Sequence, residues 1–565
     1  MNFAQISQYL KEAEPQANSP EFQKWLELTD ALAFLVQSSD EQVPIYITAK
    51  HFFLYTVLVP KNKLKGNYVN NLLHWNISIT GYGYGYGFDP ITKQAEKFLS
   101  PPIDQTGSSI LDGGEALVFH RSLYHNNNTY LELNQRLTHV LDIHRVNQRS
   151  AYCKVDDETG DLVNVVSYTD EESTICTIDR KSLDFYMFLT DTVLVQLFDV
   201  TRWQSGSFSG WHDADIKSTY KDKKNHLYAQ RVQNMDENGL KKAAYLRGFH
   251  LIRPKQSEKQ MLAELTGQKE KKKKYVSVIA IDFKHGKTCK CSCDPLKLGN
   301  YFVESDLPYG TSPAFFRPEV LLRYKHDTDK YEIGSGSITC RGAWWLRYNT
   351  NDAGQIQLYL KDLSSLPYPE QLYWQSFNEK PKAGVAEVVI KRDFYGEWAS
   401  SPDPLEELKH TLKDFPSANY RGEKVAILRH PTEKQLAKLT YVVNDSINEW
   451  EDQILALAKV LGDGLSKTEL RKIARYLKCD DPQLGSIKLL RNCLEAKGLS
   501  AADVETIIPA LQSLFLLRST IVAHEGKSAP DEDLKMHHKK LVIDCEKAMR
   551  HLAELIRAGT LDVPS

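Results

Sequence analysis

The feature that most constrains this chain is a set of helix-start signals near its C-terminal end. Thr432-x-x-Gln435, Ser466-x-x-Glu469 and Ser500-x-x-Asp503 each have a capping-box layout, in which two residues three apart satisfy each other's free backbone amides. The third uses Asp, a shorter reach than Glu or Gln. Each signal precedes apolar residues at helical spacing. The first is read as opening a helix with Leu436, Val443, Ile447, Trp450, Ile454, Leu457 and Leu461 on one face. The second opens a shorter helix ending near Cys479. A third helix ends at Gly498, a natural C-cap. The fourth runs from Ala501 and is expected to bury Val504, Ile507, Leu511, Leu514 and Phe515, with a kink at Pro509. The fifth carries Leu534, Leu541, Cys545, Leu552 and Ile556. Five antiparallel helices over 431–565 imply a compact bundle.

The residues before the bundle read differently. Segment 1–40 is expected to be helical, with Ser19 and Pro20 as N-cap and first-turn residues ahead of Phe22, Trp25, Thr29, Leu32 and Val36. From Val43 to Trp398 the pattern is that of strands. PIYITAKHFFLYTVLV is β-branched and aromatic. AYCKV and LVNVVSY flank a DDETGD turn with Gly160 near its tip. YVSVIAIDF reads as a strand buried on both faces. VLLRYK, ITCRGAWWLRY and QIQLYLKDL read as three further strands, and SLDFYMFLTDTVLVQLFDV suits either helix or strand. The run from Lys269 to Lys274 marks an exposed loop, and the polar, proline-punctuated stretch 401–430 reads as a linker. The expected fold is α+β: β-rich regions over 41–270 and 271–400, then an all-α bundle.

Composition narrows the function. Lys plus Arg total 71 against 73 Asp plus Glu, a formal charge of −2, which excludes a polybasic nucleic-acid coat but not a local basic patch. Nine scattered cysteines do not form a disulfide framework, which points to a reducing compartment. No signal peptide and no long uninterrupted apolar run is visible. The expected location is the cytoplasm, with no membrane association.

One residue stands out chemically. Arg518 follows Leu514, Phe515, Leu516 and Leu517 in the fourth helix, where an arginine is costly to bury unpaired. His524 follows six residues later and Gly526 is the natural stop. An arginine, a short spacer and a histidine near the end of a helix in a small bundle resemble the HEPN superfamily. The resemblance covers roughly residues 431–560. It implies a metal-independent RNase needing no cofactor, of the kind found among bacterial toxins and antiviral effectors, with its site shared between two chains. Ser519 stands where many members have asparagine. The residue types suit that chemistry: an imidazole titrates near neutrality, and a guanidinium offers a fixed fork of donors to phosphate. Lys467, Arg471, Arg475 and Lys478 form a possible RNA-binding stripe on the second bundle helix, or a solvated face.

Other signals are weaker. Cys289, Cys291 and Cys293 alternate and so share a strand face; lacking a partner pair, they suit a structural role better than zinc. GYGYGYGFDP lacks phosphate-loop spacing and reads as a tyrosine-packed loop or an aromatic lid. His120, His125, His139 and His144 lack metal-ligand spacing. Glu319, Glu370, Glu379, Asp393 and Glu397 form no carboxylate pair that spacing singles out. The leading expectation is an endoribonuclease with Arg518, His524 and Ser519 as catalytic residues. It would be a homodimer or higher homo-oligomer, with the β-rich part sensing a phage-derived or nucleotide trigger or restraining the nuclease. The alternative is a non-catalytic dimerisation or nucleotide-binding scaffold. A third reading places a separate site, for a carbohydrate or nucleotide, before the bundle.

Overall fold

The run PIYITAKHFFLYTVLV becomes two paired strands, Gln42–Ala49 and Phe52–Pro60, in the middle of an eleven-stranded antiparallel sheet. Pro44 has no amide to donate, and the register shifts between Pro44 and Tyr46. The ambiguous segment resolves into both alternatives. Helix Arg180–Thr190, capped by Asp179, is followed by strand Thr192–Ser205 after Asp191 breaks the helix at φ 50°. Helices Phe3–Lys11, Pro20–Leu26 and Thr29–Gln37 precede the sheet. Ile6, Phe34 and Leu35 pack in one apolar cluster with Ile47 and Phe198, while Leu183, Tyr186 and Met187 pack in a second with Val43 and Leu194.

The computed structural model describes residues 1–564 apart from 13, 17–18, 39, 50, 65–82, 101–113, 123–128, 171–172, 206–215, 223–226, 237–240, 266–272, 301, 335, 397–402 and 524–532. The chain divides into two units, 1–155 with 162–271, and 156–161 with 272–565. The fold is α+β, with β-rich structure followed by a helical region. No helix among the described residues is long and apolar enough to cross a membrane. Most of the lysine run, residues 269–272, lies outside the described residues.

The β-rich part of the second unit differs in detail from the sequence reading. Ser277–Asp282 is a strand with alternating burial, so Ser277, Ile279 and Ile281 stay partly exposed. VLLRYK is helical, because Pro318 starts a 3₁₀ turn that continues into helix Leu322–His326. ITCRGAWWLRY is a hairpin of Ser337–Cys340 and Trp344–Arg347, turning at Arg341 and Gly342, both with positive φ. QIQLYLKDL is strand Ile356–Tyr359 followed by helix Leu360–Ser365.

Stretch 401–430, expected as a linker, contains helix Pro404–Lys413. Its Leu405, Leu408 and Leu412 are buried in the same core as Trp450, Leu511 and Leu552, so apolar periodicity outweighs the flanking prolines. The Thr432–Gln435 capping box is present, but it opens only the short helix Glu433–Ala437. A second start follows: Ser446 caps helix Ile447–Leu461. Lys467–Tyr476, Ser486–Ala496, Ala501–Ala523 and Leu534–Arg557 complete the helical region.

The β-rich part and the helices of this unit are joined by a buried cation. Lys325 donates from Nζ to the Tyr441 carbonyl and to Glu449 Oε1, the latter at 2.7 Å, and the two side chains are 8% and 12% exposed. Burial holds the Lys325 pKa down against the opposing pull of Glu449. The Glu449 carboxylate also accepts from the amides of Val443 and Asn444. Close by, His538 is fully buried and neither ring nitrogen has a hydrogen-bond partner among the described residues. Burial first, then the charges of Lys325 and His537, push its pKa down to about 3.

Two outcomes follow for stability. Glu449→Ala leaves an uncompensated buried ammonium and costs about 3–5 kcal/mol in chemical denaturation. Adding Lys325→Met recovers part of that loss, whereas a purely additive loss would contradict the pair. His538 is neutral when folded but takes a proton near pH 6.5 when unfolded. Its contribution is therefore complete above pH 6.5 and falls with pH below that, by about 2 kcal/mol at pH 5. His538→Leu should flatten this part of the stability–pH curve.

Candidate functional site

Helix Ala501–Ala523 begins where Ser500 meets the Asp503 amide and carboxylate, and His551 Nε2 lies 2.9 Å from Asp503. Val504, Ile507, Ile508, Leu511, Leu514 and Ile521 point into the core. Phe515 does not: together with Leu516 and Val522 it is more than half exposed. Ser519 lies on the same exposed face, and these residues recur at spacings of three and four, so the outer face of the helix is an apolar stripe. The sequence reading placed Phe515 inside, in one set with Val504, Ile507, Leu511 and Leu514. The core takes in both Ile507 and Ile508 earlier in the helix, but one turn before Arg518 it covers Leu514 and leaves Phe515 outside.

Arg518 lies beside this stripe. Its Nη1 donates to Asp463 Oδ1 at 2.5 Å, with the two side chains 33% and 48% exposed. No other hydrogen bond to the guanidinium is formed among the described residues. Asp463 is held in a tight turn after helix Ile447–Leu461, where its amide donates to the Ala458 carbonyl. A Cβ on the next residue, Gly464, would stand 2.0 Å from the Val460 carbonyl oxygen, so only glycine allows this turn. Ser519 Oγ donates to the Phe515 carbonyl at 2.9 Å, which leaves its oxygen free to accept. His524 and Gly526 lie outside the described residues.

The basic stripe is less continuous than its spacing suggested. Lys467 is exposed at the first helical position after Ser466. Arg471 donates to the Pro482 carbonyl at 2.6 Å, and Arg475 pairs with Asp480 at 3.1 Å. The helix ends at Tyr476, and Lys478 adopts φ 59°, so it leaves the helical row. Asp480 neutralises part of the stripe from outside the helix.

Several of the remaining sequence signals have local partners; Glu319 does not, and its buried Oε2 has no hydrogen-bond partner among the described residues. Glu370 accepts from the Tyr324 hydroxyl at 2.7 Å and pairs with Arg323. Glu379 pairs with Lys382, and Asp393 with Arg392 and Tyr359. Glu397 and His125 lie outside the described residues. His144 is 3.4 Å from Asp142, and no metal-holding group of His, Cys, Asp or Glu is found among the described residues. The glycine–tyrosine segment is a hairpin strand, Gly83–Asp89 paired with Gln94–Ser100, with residues 81–82 outside the description. An open polar groove of about 1380 Å³ is lined by Trp345, Arg347, Glu332, Lys409 and His410. Its further cations and carboxylates largely pair with one another, as Lys409 does with Glu406 and Lys413 with Glu433.

Sequence reasoning missed Asp463 and the apolar stripe. A Gly-Asp-Gly turn after a helix was the available signal for the first, and Phe515 and Val522, seven apart and so on one helix face, for the second. A scan against family models, a search of curated proteins and a search of solved structures each find no match to this chain.

Proposed function

We propose that the helical region is the catalytic part of a metal-independent endoribonuclease that works as a homodimer. The observation that carries this reading is Arg518: an arginine anchored at one nitrogen by Asp463, with no other hydrogen-bond partner among the described residues, beside an exposed apolar helix face. Anchoring fixes the direction of the guanidinium fork, which suits it to phosphate oxygens. In this reading His524 takes the proton from a ribose 2′-hydroxyl. The oxygen then attacks the adjacent phosphorus, the P–O5′ bond breaks, and the leaving 5′-oxygen takes a proton from water while the protonated His524 returns its proton to solvent, giving a 2′,3′-cyclic phosphate and a 5′-hydroxyl. Arg518 compensates the phosphate charge.

If the helix ran straight on to position 524, six residues at about 100° each would set the Arg518 and His524 side chains about 120° apart. One chain's arginine is therefore proposed to work with its partner's histidine, and Phe515, Leu516 and Val522 to form the contact. The β-rich remainder would sense a phage-derived or nucleotide trigger, or restrain the nuclease, in an antiphage role that rests on the HEPN resemblance. A second reading, a non-catalytic dimerisation scaffold, is favoured by the same Arg518–Asp463 ion pair if that pair is only structural.

The test is incubation of the protein with structured and single-stranded RNA in EDTA. Cleavage leaving cyclic phosphate ends is expected, falling by about 100-fold or more in Arg518→Ala and His524→Ala. Arg518→Ala should lose less than about 1 kcal/mol of stability, since its ion pair is partly exposed. Retained cleavage in both variants would overturn the nuclease reading. Dimers that never cut RNA, and that fall to monomers in Leu516→Glu, would favour the scaffold.

A further inference from the structure

Among the described residues, strand Lys287–Ser292 lies at the edge of its sheet and pairs with Ser277–Asp282 alone. Cys289 stands opposite Ala280, and Cys291 opposite Val278. The two thiols therefore share a face, and their Sγ atoms are 3.5 Å apart. A rise of about 3.3 Å per residue puts their Cα atoms about 6.6 Å apart, within the roughly 4.4–6.8 Å that a disulfide spans. With no second partner strand among the described residues, the backbone can adjust without breaking another ladder.

The two sulfurs are not equivalent. Cys289 is half-buried, so an oxidant can reach it. Cys291 is 4% exposed, and burial, with the hydrogen bond to Cys289 next, pushes its thiol up to about 12. Cys293, on the same run, is turned to a different partner: its Sγ donates to Gln371 Oε1 at 3.3 Å.

We propose that Cys289 and Cys291 are a peroxide-oxidised dithiol site that closes to an intrastrand disulfide. The Cys289 thiolate attacks one peroxide oxygen, the O–O bond breaks, and hydroxide leaves, giving a sulfenic acid. The Cys291 sulfur then attacks the Cys289 sulfur, the S–O bond breaks, and the departing hydroxide takes the Cys291 proton as water. Two thiols and one hydrogen peroxide become one disulfide and two waters. Reversible disulfides of this kind fit a reducing compartment, where lasting structural ones are rare. The inference is independent of the nuclease reading.

Peptide mapping tests it on the full chain. The protein is exposed to a small excess of hydrogen peroxide, alkylated, and digested with trypsin without reductant. Trypsin cuts at Lys287, Lys290 and Lys297, so Thr288–Lys290 and Cys291–Lys297 separate unless a disulfide joins them. The expected product is the joined pair, two hydrogens lighter than the sum of the free peptides, and free thiols falling from nine to seven. It should persist in Cys293→Ser, vanish in Cys289→Ser, and revert with dithiothreitol. In Cys291→Ser, Cys289 should advance to the sulfinic acid. Both peptides fully alkylated after peroxide would overturn the proposal. So would a joined pair lost in Cys293→Ser, or oxidation confined to Cys479 and Cys493, the interacting thiols of the helical region.

Discussion

The second unit is organised around one buried charge. Lys325 brings an ammonium from the β-rich part into the helical region, where the Tyr441 carbonyl and the Glu449 carboxylate receive it. Such a charge is tolerated only when its partners are in place. That requirement fixes the irregular stretch between helices Glu433–Ala437 and Ile447–Leu461, because Glu449 must also accept the amides of Val443 and Asn444. Trp450, the next residue, is fully buried and donates to His537, and His538 packs edge-on to Tyr441. Electrostatics and apolar packing thus meet at one point, which accounts for the β-rich part and the helices forming one unit.

The same economy of polar groups governs the candidate site. The helix that carries Arg518 is clamped on its inner face by apolar packing and held at its outer edge by Asp463. Asp463 is in place because Gly464 permits a turn that no side chain would allow. The neutral overall charge is consistent with this arrangement: recognition of RNA, as proposed, would rest on a few oriented donors and not on a broad basic field.

Much of the helical architecture was legible because its signals are local. Thr432, Ser466 and Ser500 begin helices as their spacing indicates, and Gly498 takes a positive φ after its helix. Much of what was not legible depends on long-range contacts. The Thr432 helix was read too long: Ser446-x-x-Glu449, with the same capping layout, marks the second start locally, whereas the Lys325 bond to the Tyr441 carbonyl between the two helices comes from more than a hundred residues earlier. Leu405, Leu408 and Leu412 were hidden among prolines, and Phe515 looked like core until the helix was given a direction. VLLRYK had strand-like composition, but Pro318 and tertiary packing made it helical. At the candidate site Arg518 was visible as an anomaly, whereas its partner Asp463 was not.

The central claim, that Arg518 of one chain acts with His524 of another, is tested most directly by mixing. Arg518→Ala and His524→Ala proteins, each inactive alone, are combined under conditions that exchange subunits and assayed on RNA in EDTA. A mixed dimer contains one intact pair, so the account predicts that cleavage returns. Exchange demonstrated without any return of cleavage would contradict it.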